Sequence, residues 1–394
     1  MDFQLDEEHR MLKDLVAKFV RDKLIPLEPV ILQRDADGES VALTDAEREP
    51  IDAFSKELGL WGLDAPEDVG GADLPMVAMV GVYEEMGKTI VPYVLPPDSP
   101  NLRMLMATVN EDQRIRYLQP YTEGRMVSAI AISEPGAGAD PAAMLTKAVR
   151  APNPSGGPDD WVINGRKIWI SKASYADMTI VMAVTDPAKG ARGGITAFIV
   201  DKGTPGFIVT RKIPMIGGQT TYEVVFEDCR VSQAQMLGTE GNGFAPMQTR
   251  LSTRRLQMGI WGYTLAERAM EMIIEHAGQR ETFGALLSSR QSIQWWVADA
   301  ATRIHAARLM AYDVAWKLDQ GRDVRNEISM LKVYGTELGW EVVDQAMQVY
   351  GAMGMTKEIP LQMMAGQLRT MRIYDGPSEI HRMVIARNKM GLKR

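Results

Sequence analysis

Met371-Arg372-Ile373-Tyr374-Asp375-Gly376-Pro377-Ser378-Glu379 places an acid between an aromatic residue and a Gly-Pro break. On such a turn the backbone N–H of Asp375 is turned away from any helix ladder and is free to bind another group. A carboxylate beside an oxyanion donor is what proton abstraction next to a carbonyl requires. The same residues suit a helix cap, because Ile380, Met383 and Val384 begin an apolar helical pattern directly after them. Position alone leaves both readings open.

Two upstream stretches have the chemistry to receive a flat or anionic ligand. Ser133-Glu134-Pro135-Gly136-Ala137-Gly138-Ala139-Asp140 follows a β-type run, and a glycine-rich turn there leaves backbone N–H groups open. It lacks the third glycine and following helix of a dinucleotide fingerprint, and the Gly-Lys-Ser/Thr of a P-loop. A plain strand-end turn is the alternative. Trp169-Ile170-Ser171 ends a later run; the indole either fills core or packs on a ring system that Ser171 hydrogen-bonds. His9, His276, His305 and His381 show no metal-ligand spacing, and no Gly-x-Ser-x-Gly elbow occurs. Cys229, the only cysteine, has no histidine near it, reads as structural and excludes an internal disulfide.

The elements that must position these residues fall into three regions, 1–125, 126–238 and 239–394. The first reads as helical: Phe3, Leu12, Leu15, Val16, Phe19 and Val20 recur near helical spacing behind Asp6, Glu7 and Glu8. Residues 78–87 form another helix, and the proline-rich stretch 92–100 must be irregular. The second consists of short β-type runs at 127–132, 161–163, 168–170, 179–184, 196–200 and 222–226, with Asn164-Gly165 as a hairpin turn signal and 151–160 as a loop. Strands without intervening helices predict an antiparallel barrel or sandwich. The third returns to long helices. Ile293, Val297, Ala300, Ile304, Ala307, Ala311, Val314 and Leu318 form one bundle seam. Ile328, Leu331, Gly335, Leu338, Val342 and Val349 form another, and Leu251, Met258, Leu265 and Met272 repeat every seven residues. The fold class is α+β: helical domain, β domain, four-helix bundle.

A chain of 394 residues with a net charge of −7 offers no global electrostatic case for nucleic acid. A local excess of Arg369, Arg372, Arg382, Arg387, Lys389, Lys393 and Arg394 near the end is either a phosphate site or a solvated helix face. A charged start and no long apolar run argue against a signal peptide and a membrane span, so a cytoplasmic protein is expected.

Taken in order, the motifs resemble the acyl-CoA dehydrogenase family along nearly the whole chain. Leu5-Asp6-Glu7-Glu8-His9 is similar to its opening helix, and Pro66-Glu67-Asp68-Val69-Gly70-Gly71 to its Pro-Glu-x-x-Gly-Gly turn. Ser133 to Asp140 resembles Thr-Glu-Pro-x-Ala-Gly-Ser-Asp, and Asn164 to Ser171 resembles Asn-Gly-x-Lys-x-Trp-Ile-Thr. Arg280-x-x-Phe283-Gly284 with Gln291 is similar to the family's flavin-contacting motif. Gln348-x-x-Gly351-Ala352-x-Gly354 is similar to its Gln loop, and Ile385-Ala386-Arg387 to its closing helix.

The resemblance implies one FAD per subunit, an acyl-CoA thioester substrate oxidised to its 2,3-enoyl form, electron-transfer flavoprotein as acceptor, and a homotetramer, with a dimer as the alternative. Asp375 stands at the catalytic Glu position. Ser133, Trp169 and Ser171 would meet the isoalloxazine ring. Arg280, Phe283, Gln291, Gln348, Gly351 and Ala352 would hold the adenine and pyrophosphate end, partly across an interface. Pro377 and Glu379 fall on the flavin side, and Ala139, Arg255, Tyr374 and Gly376 on the substrate side. The acyl pocket is expected among 80–85, 95–102 and the first bundle helix. Four positions depart from the pattern: Asp375 is one methylene shorter than Glu, Pro377 replaces Thr, and Ala139 and Ala352 replace Ser and Gly. Asp-Gly-Pro-x-Glu-x-His looks like a subgroup whose base is Asp. Members with their Glu on the bundle helix place it at the position of Arg254, which offers no carboxylate. A flavin oxidase such as a nitroalkane oxidase, and a flavin- or acyl-CoA-binding protein without turnover, remain alternatives.

Overall fold

The computed structural model describes residues 6–392. Phe3, Leu5, Lys393 and Arg394 lie outside the described residues. The N-terminal region holds α1 (Glu7–Phe19), α2 (Glu28–Ala36), α3 (Asp45–Glu57), α4 (Met76–Met86) and α5 (Ser99–Met106). Short α6 (Glu111–Gln113) and α7 (Gln119–Thr122) follow, with a π-helical turn at Arg114–Leu118 between them. Glu7 and Glu8 sit at the positive end of α1, whose inner face buries Val16 and Phe19. A capping box of Thr44 and Glu47 starts α3.

The middle region carries β1 (Ser128–Ala131), β2 (Lys147–Ala151), β3 (Asp160–Ile170), β4 (Met178–Val184), the irregular turn α8 (Ala191–Gly194), β5 (Ile195–Asp201), β6 (Phe207–Pro214), β7 (Thr220–Val231) and β8 (Met236–Leu237). They form one sheet in the order β6-β7-β3-β2-β4-β5-β8, with β1 also on β4. Pairing is antiparallel except where β1 and β2 meet β4. The period-2 alternation of β4 divides its side chains between two cores. Ile180 and Met182 face the helices, while Val181 and Ala183 face Phe198, Trp161 and Phe226 within the sheet.

Asn164-Gly165 is not a hairpin turn. It lies inside the 11-residue β3, which pairs with β7 from Trp161 opposite Val231 to Ile170 opposite Tyr222 and shifts register between Ile163 and Gly165. The Asn164 side chain donates to Asp228 Oδ1 and accepts from the Asp228 N–H at 2.8 Å, so it serves a bulge rather than a turn. Gly165 is required because a Cβ there would come within 2.4 Å of Thr146 Oγ1. Periodicity also missed β2 and β6; nearly all of β6 is exposed, so no apolar alternation marks it.

The C-terminal region contains α9 (Phe244–Gln279), a small ribbon of β9 (Glu281–Thr282) and β10 (Ala285–Leu286), α10 (Gln291–Asp319), α11 (Arg325–Tyr350), α12 (Leu361–Met371) and α13 (Ser378–Lys389). The two seams bury Ala300, Ile304, Ala307 and Ala311 on α10, and Ile328, Leu331, Leu338 and Val342 on α11, in a core shared with α1 and α4. α9 and α11 run side by side in the same direction. Gly259 and Gly262 face Gly335 and Gly339 near one end, and His276 stacks on Tyr350 near the other. A Cβ on Gly335 would lie 2.2 Å from Gly259 O. Gly335→Ala is therefore expected to cost roughly 1–3 kcal/mol by forcing two backbones apart. Denaturant unfolding measures it, and an unchanged midpoint would contradict the close packing.

The apolar pattern expected for the last helix is not its buried face. Met383 is exposed and Ile380 and Val384 are half-buried, whereas α13 buries Ser378 and His381. Polar groups of this helix serve the turn before it, and that demand overrides its hydrophobic pattern.

Candidate active site

Tyr374, Asp375 and Gly376 bridge α12 and α13, with Asp375 at φ +52° and Gly376 at φ +102°. Cations from two bundle helices hold all three of their carbonyls. Lys332 Nζ on α11 donates to Tyr374 O at 2.7 Å and also to Gly376 O, while Arg255 Nε on α9 donates to Asp375 O at 2.7 Å. In a trans peptide the N–H points opposite its carbonyl. With Tyr374 O drawn to Lys332, the Asp375 N–H therefore points away from Lys332, and no backbone acceptor takes it among the described residues. The cap reading fails: the α13 N-cap is Pro377, which has no capping side-chain bond, and the Asp375 carboxylate accepts from Arg250 Nη1 at 2.9 Å instead.

The charges on this turn are unusual for a protein interior. Burial pushes the Asp375 carboxyl upward, but Arg250, Arg254, Lys332 and Arg255 outweigh it and hold the group below its ordinary value. Burial drives Lys332 down to about 7, against the pull of Asp375 and with Arg255 adding to the fall. His381 Nδ1 lies 3.0 Å from Ser329 Oγ. Burial, Lys332 and Arg255 press its pKa down to about 3, so the ring is neutral and packs beneath Gly376, where a Cβ would sit 2.9 Å from Nε2.

Beside the turn, Arg254 grips both oxygens of Asp98 at 2.7 and 2.9 Å and stacks on Trp261. Lys172 reaches Asp98 at 3.5 Å, and Arg250 Nε reaches Asn101 Oδ1 at 3.2 Å. Burial opposes ionisation of Asp98, but Arg254, Lys172 and Arg250 bring its carboxyl far below the usual range. Arg250, Arg254, Gln257 and Trp261 recur at helical spacing along one stripe of α9. Gln257 and Trp261 line a cavity of about 60 Å3 closed by Tyr83 and Met86 on α4 and by Leu95, Pro96 and Pro97. It lies where an acyl pocket is expected. Its walls are mostly apolar, yet Tyr83 Oη, Gln257 Oε1 and Trp261 Nε1 lack hydrogen-bond partners.

On the sheet side, the two flavin-type motifs come together. Ile168 N–H donates to Ser133 O at 2.9 Å, joining the Ser133–Asp140 turn to the end of β3 that carries Trp169 and Ser171. Glu134 locks the turn: its carboxylate accepts from the N–H groups of Leu145 and Thr146 and from Lys167 Nζ at 2.9 Å. Lys167 is fully buried, which brings it down to about 8 despite the opposing pull of Glu134. Trp169, at φ +64°, turns its indole outward and leaves it 51% exposed; Ser171 and Ala139 are exposed as well. Lys167→Met leaves Glu134 charged and buried without its cation, a change that typically costs about 3–5 kcal/mol. A lower thermal midpoint together with weaker FAD retention on gel filtration is expected. An unchanged midpoint would show that the pair does not hold the turn.

Arg280, Phe283, Gln291, Gln348, Gly351 and Ala352 are not near Asp375. They gather at the far end of α9 and α11, where Arg280 lies roughly 37 Å from Arg255 along α9 at about 1.5 Å per residue. All six are exposed, and Phe283 is wholly open at φ +51°. Pro377 and Tyr374 are half-buried in the Asp375 turn, and Glu379 is exposed in the first turn of α13.

Sequence reasoning missed Asp98, Arg250, Lys332 and the burial of His381 beneath the turn. Two signals were present: a lysine set among the apolar seam positions of α11, and arginines four apart on α9. Among the described residues no cluster suits a metal ion, Cys229 is buried and unpaired, and no helix is long and apolar enough to cross a membrane.

Comparison with known proteins agrees with this architecture. Models of the acyl-CoA dehydrogenase N-terminal, middle and C-terminal domains match residues 6–125, 129–229 and 241–390. The (R)-benzylsuccinyl-CoA dehydrogenase of Thauera aromatica is 38% identical over 98% of this chain and 96% of its own. The butyryl-CoA dehydrogenase structure from Megasphaera elsdenii superposes with a TM-score of 0.88 at 30% identity, covering 99% of this chain and 100% of that one. A structure described as PigA with FAD and proline gives a TM-score of 0.86 at 27% identity over 100% of both chains. A fold, a set of flavin-type motifs and three matching domains, all in one order, lead to a single assignment: the chain belongs to the acyl-CoA dehydrogenase family, whose cofactor is FAD.

Proposed function

We propose that this protein dehydrogenates an acyl-CoA thioester to its 2,3-enoyl form, with Asp375 as the base for the α-proton. The observation that carries the reading is the Asp375 turn. One residue offers a carboxylate and an outward N–H, and Lys332 and Arg255 pin the carbonyls on either side. The carboxylate takes the proton while the N–H donates to the thioester oxygen as negative charge develops there. A preorganised donor of this kind is commonly worth ~3 kcal/mol. Its cost is met during folding, because the cations fix the turn before substrate arrives.

FAD, when bound, accepts the hydride from the β-carbon. The residues present fit that cofactor: a half-exposed indole at Trp169, the hydroxyls of Ser133 and Ser171, and Pro377 and Glu379 nearby in the chain. The wholly exposed Phe283 ring, with Arg280, Gln291, Gln348, Gly351 and Ala352, suits the adenine and pyrophosphate end of a cofactor held by a second subunit. The distance from Asp375 favours a homotetramer or dimer over a self-sufficient monomer. Ala139, Arg255, Tyr374 and Gly376 face the substrate side, and electron-transfer flavoprotein is the acceptor.

The test is anaerobic titration of the purified yellow protein with acyl-CoAs of graded length and branching. Bleaching of the flavin by at least one thioester is expected. Flavin left oxidised by the whole panel would overturn the reading, and oxygen uptake with a nitroalkane but no thioester would replace it with an oxidase.

A further inference from the structure

Arg250 uses only part of its guanidinium. Nε donates to Asn101 and Nη1 to Asp375, and Nη2 meets no acceptor among the described residues. Arg255 donates only through Nε. The Arg250 side chain is 9% exposed, and Arg255 is half-buried. Around them the charges do not balance. Among the described residues, Asp98 and Asp375 are the two carboxylates that face Arg250, Arg254, Arg255, Lys172 and Lys332, so the cations outnumber them. Surplus positive charge beside N–H groups that no protein acceptor takes favours the entry of an anion. A thioester brings no charge to its reacting carbons. A carboxylate held on an arginine is also a poor base, since the cation favours its ionised form.

We infer that the acyl group of the substrate carries a carboxylate of its own, which Arg250 receives, releasing Asp375 to act as the base. The inference rests on the dehydrogenase reading above and deepens it to a substrate class. Arg250 reaches the base directly, so this carboxylate branches from or adjoins the reacting carbon pair, as in a substituted succinyl or a glutaryl thioester. It does not sit at the tip of a long chain. Once Arg250 turns to the new carboxylate, Asp375 forms its O–H bond as the α C–H bond breaks, and the electron pair remains in the enolate. The β C–H pair leaves as hydride to the flavin, so no further oxidant is needed. Arg255 and Lys332 stay on the turn's carbonyls throughout, and the surplus charge is neutralised by the substrate itself.

The experiment compares methylsuccinyl-CoA and glutaryl-CoA with the same thioesters methylated on the distal carboxyl, with butyryl-CoA and free CoA as references. Binding is read by calorimetry, flavin reduction by stopped flow, and exchange of the α-proton in deuterated buffer by NMR. At least one free acid should bind and reduce flavin about 10-fold or more better than its methyl ester. Arg250→Gln should abolish that preference, and Arg250→Lys should keep part of it at an unchanged thermal midpoint. Methyl esters or butyryl-CoA reacting as well as the acids would overturn the inference while leaving the dehydrogenase reading standing. Preferential binding of the acids with no flavin reduction and no α-exchange would support the carboxylate site and overturn the dehydrogenase reading. A preference that persists undiminished in Arg250→Gln would remove Arg250 from the role.

Discussion

Asp375→Asn should leave a folded, yellow protein whose flavin acyl-CoA no longer bleaches, with reduction slowed by about 10²–10⁴-fold, the usual contribution of a positioned base. The amide keeps the shape, the φ +52° backbone and the N–H donor, all of which Asn tolerates. It loses only the proton-accepting charge. Acyl-CoA affinity should therefore change far less than the rate, and exchange of the substrate α-proton into deuterated buffer should stop. Retained exchange in Asp375→Asn would assign the base elsewhere. The pH dependence of folding has a definite sign here. Asp375 ionises below its ordinary value in the folded chain because four cations face it from α9 and α11, with the neutral His381 ring on α13 behind them. Its contribution to stability is present above the unfolded carboxyl value and is lost as pH falls through the folded one. Asp375→Asn should flatten that acid limb.

Lys332→Met should slow flavin reduction by about 100-fold, the scale of a misplacement of reacting groups by about 1 Å. The methionine fills the space but leaves Tyr374 O and Gly376 O without their donor, so the Asp375 N–H loses its fixed direction. A rate loss with nearly unchanged substrate affinity would mark Lys332 as a positioning residue; equal losses in both would mark a merely structural one. Stability gives a second readout. Folded Lys332 titrates near 7 against an ordinary value of 10.5. Between those values the unfolded chain binds a proton that the folded chain does not, so wild-type stability should rise with pH across this window. Denaturant unfolding of Lys332→Met should lack that rise. An identical slope in both proteins would show that Lys332 is charged in the fold.

Much of this was legible in the chain itself. The seams of α10 and α11 and the Ser133 and Trp169 motifs follow from short-range spacing, which a linear text preserves. The failures share a physical cause. Asn164-Gly165 has the composition of a two-residue turn, but Asp228, far along the chain, takes up the Asn164 side chain, and the strand continues through a bulge instead of reversing. The Ile380, Met383, Val384 stripe was overridden by His381, whose burial is set by Ser329, Gly376 and Lys332. Arg250, Asp98 and Lys332 were silent because a charged residue announces nothing until its partner is known, and here the partners are 125, 156 and 42 positions away.

Among the described residues, six other than glycine hold a left-handed backbone: Asp73, Trp169, Lys172, Asp228, Phe283 and Asp375. Four of them belong to the charged cluster or to the flavin-type motifs, and for a Trp or a Phe this conformation is a genuine outlier. The consequence belongs to directed evolution. A screen for heat resistance alone should drift first to glycine or asparagine at Trp169 and Phe283, since each exchange relaxes the chain and gives up little buried surface, whereas the ion pairs of Lys172 and Asp375 hold those two in place. A screen that also demands flavin reduction should hold all four fixed. Divergence between the two lineages would map the working parts of the molecule even before its substrate is identified.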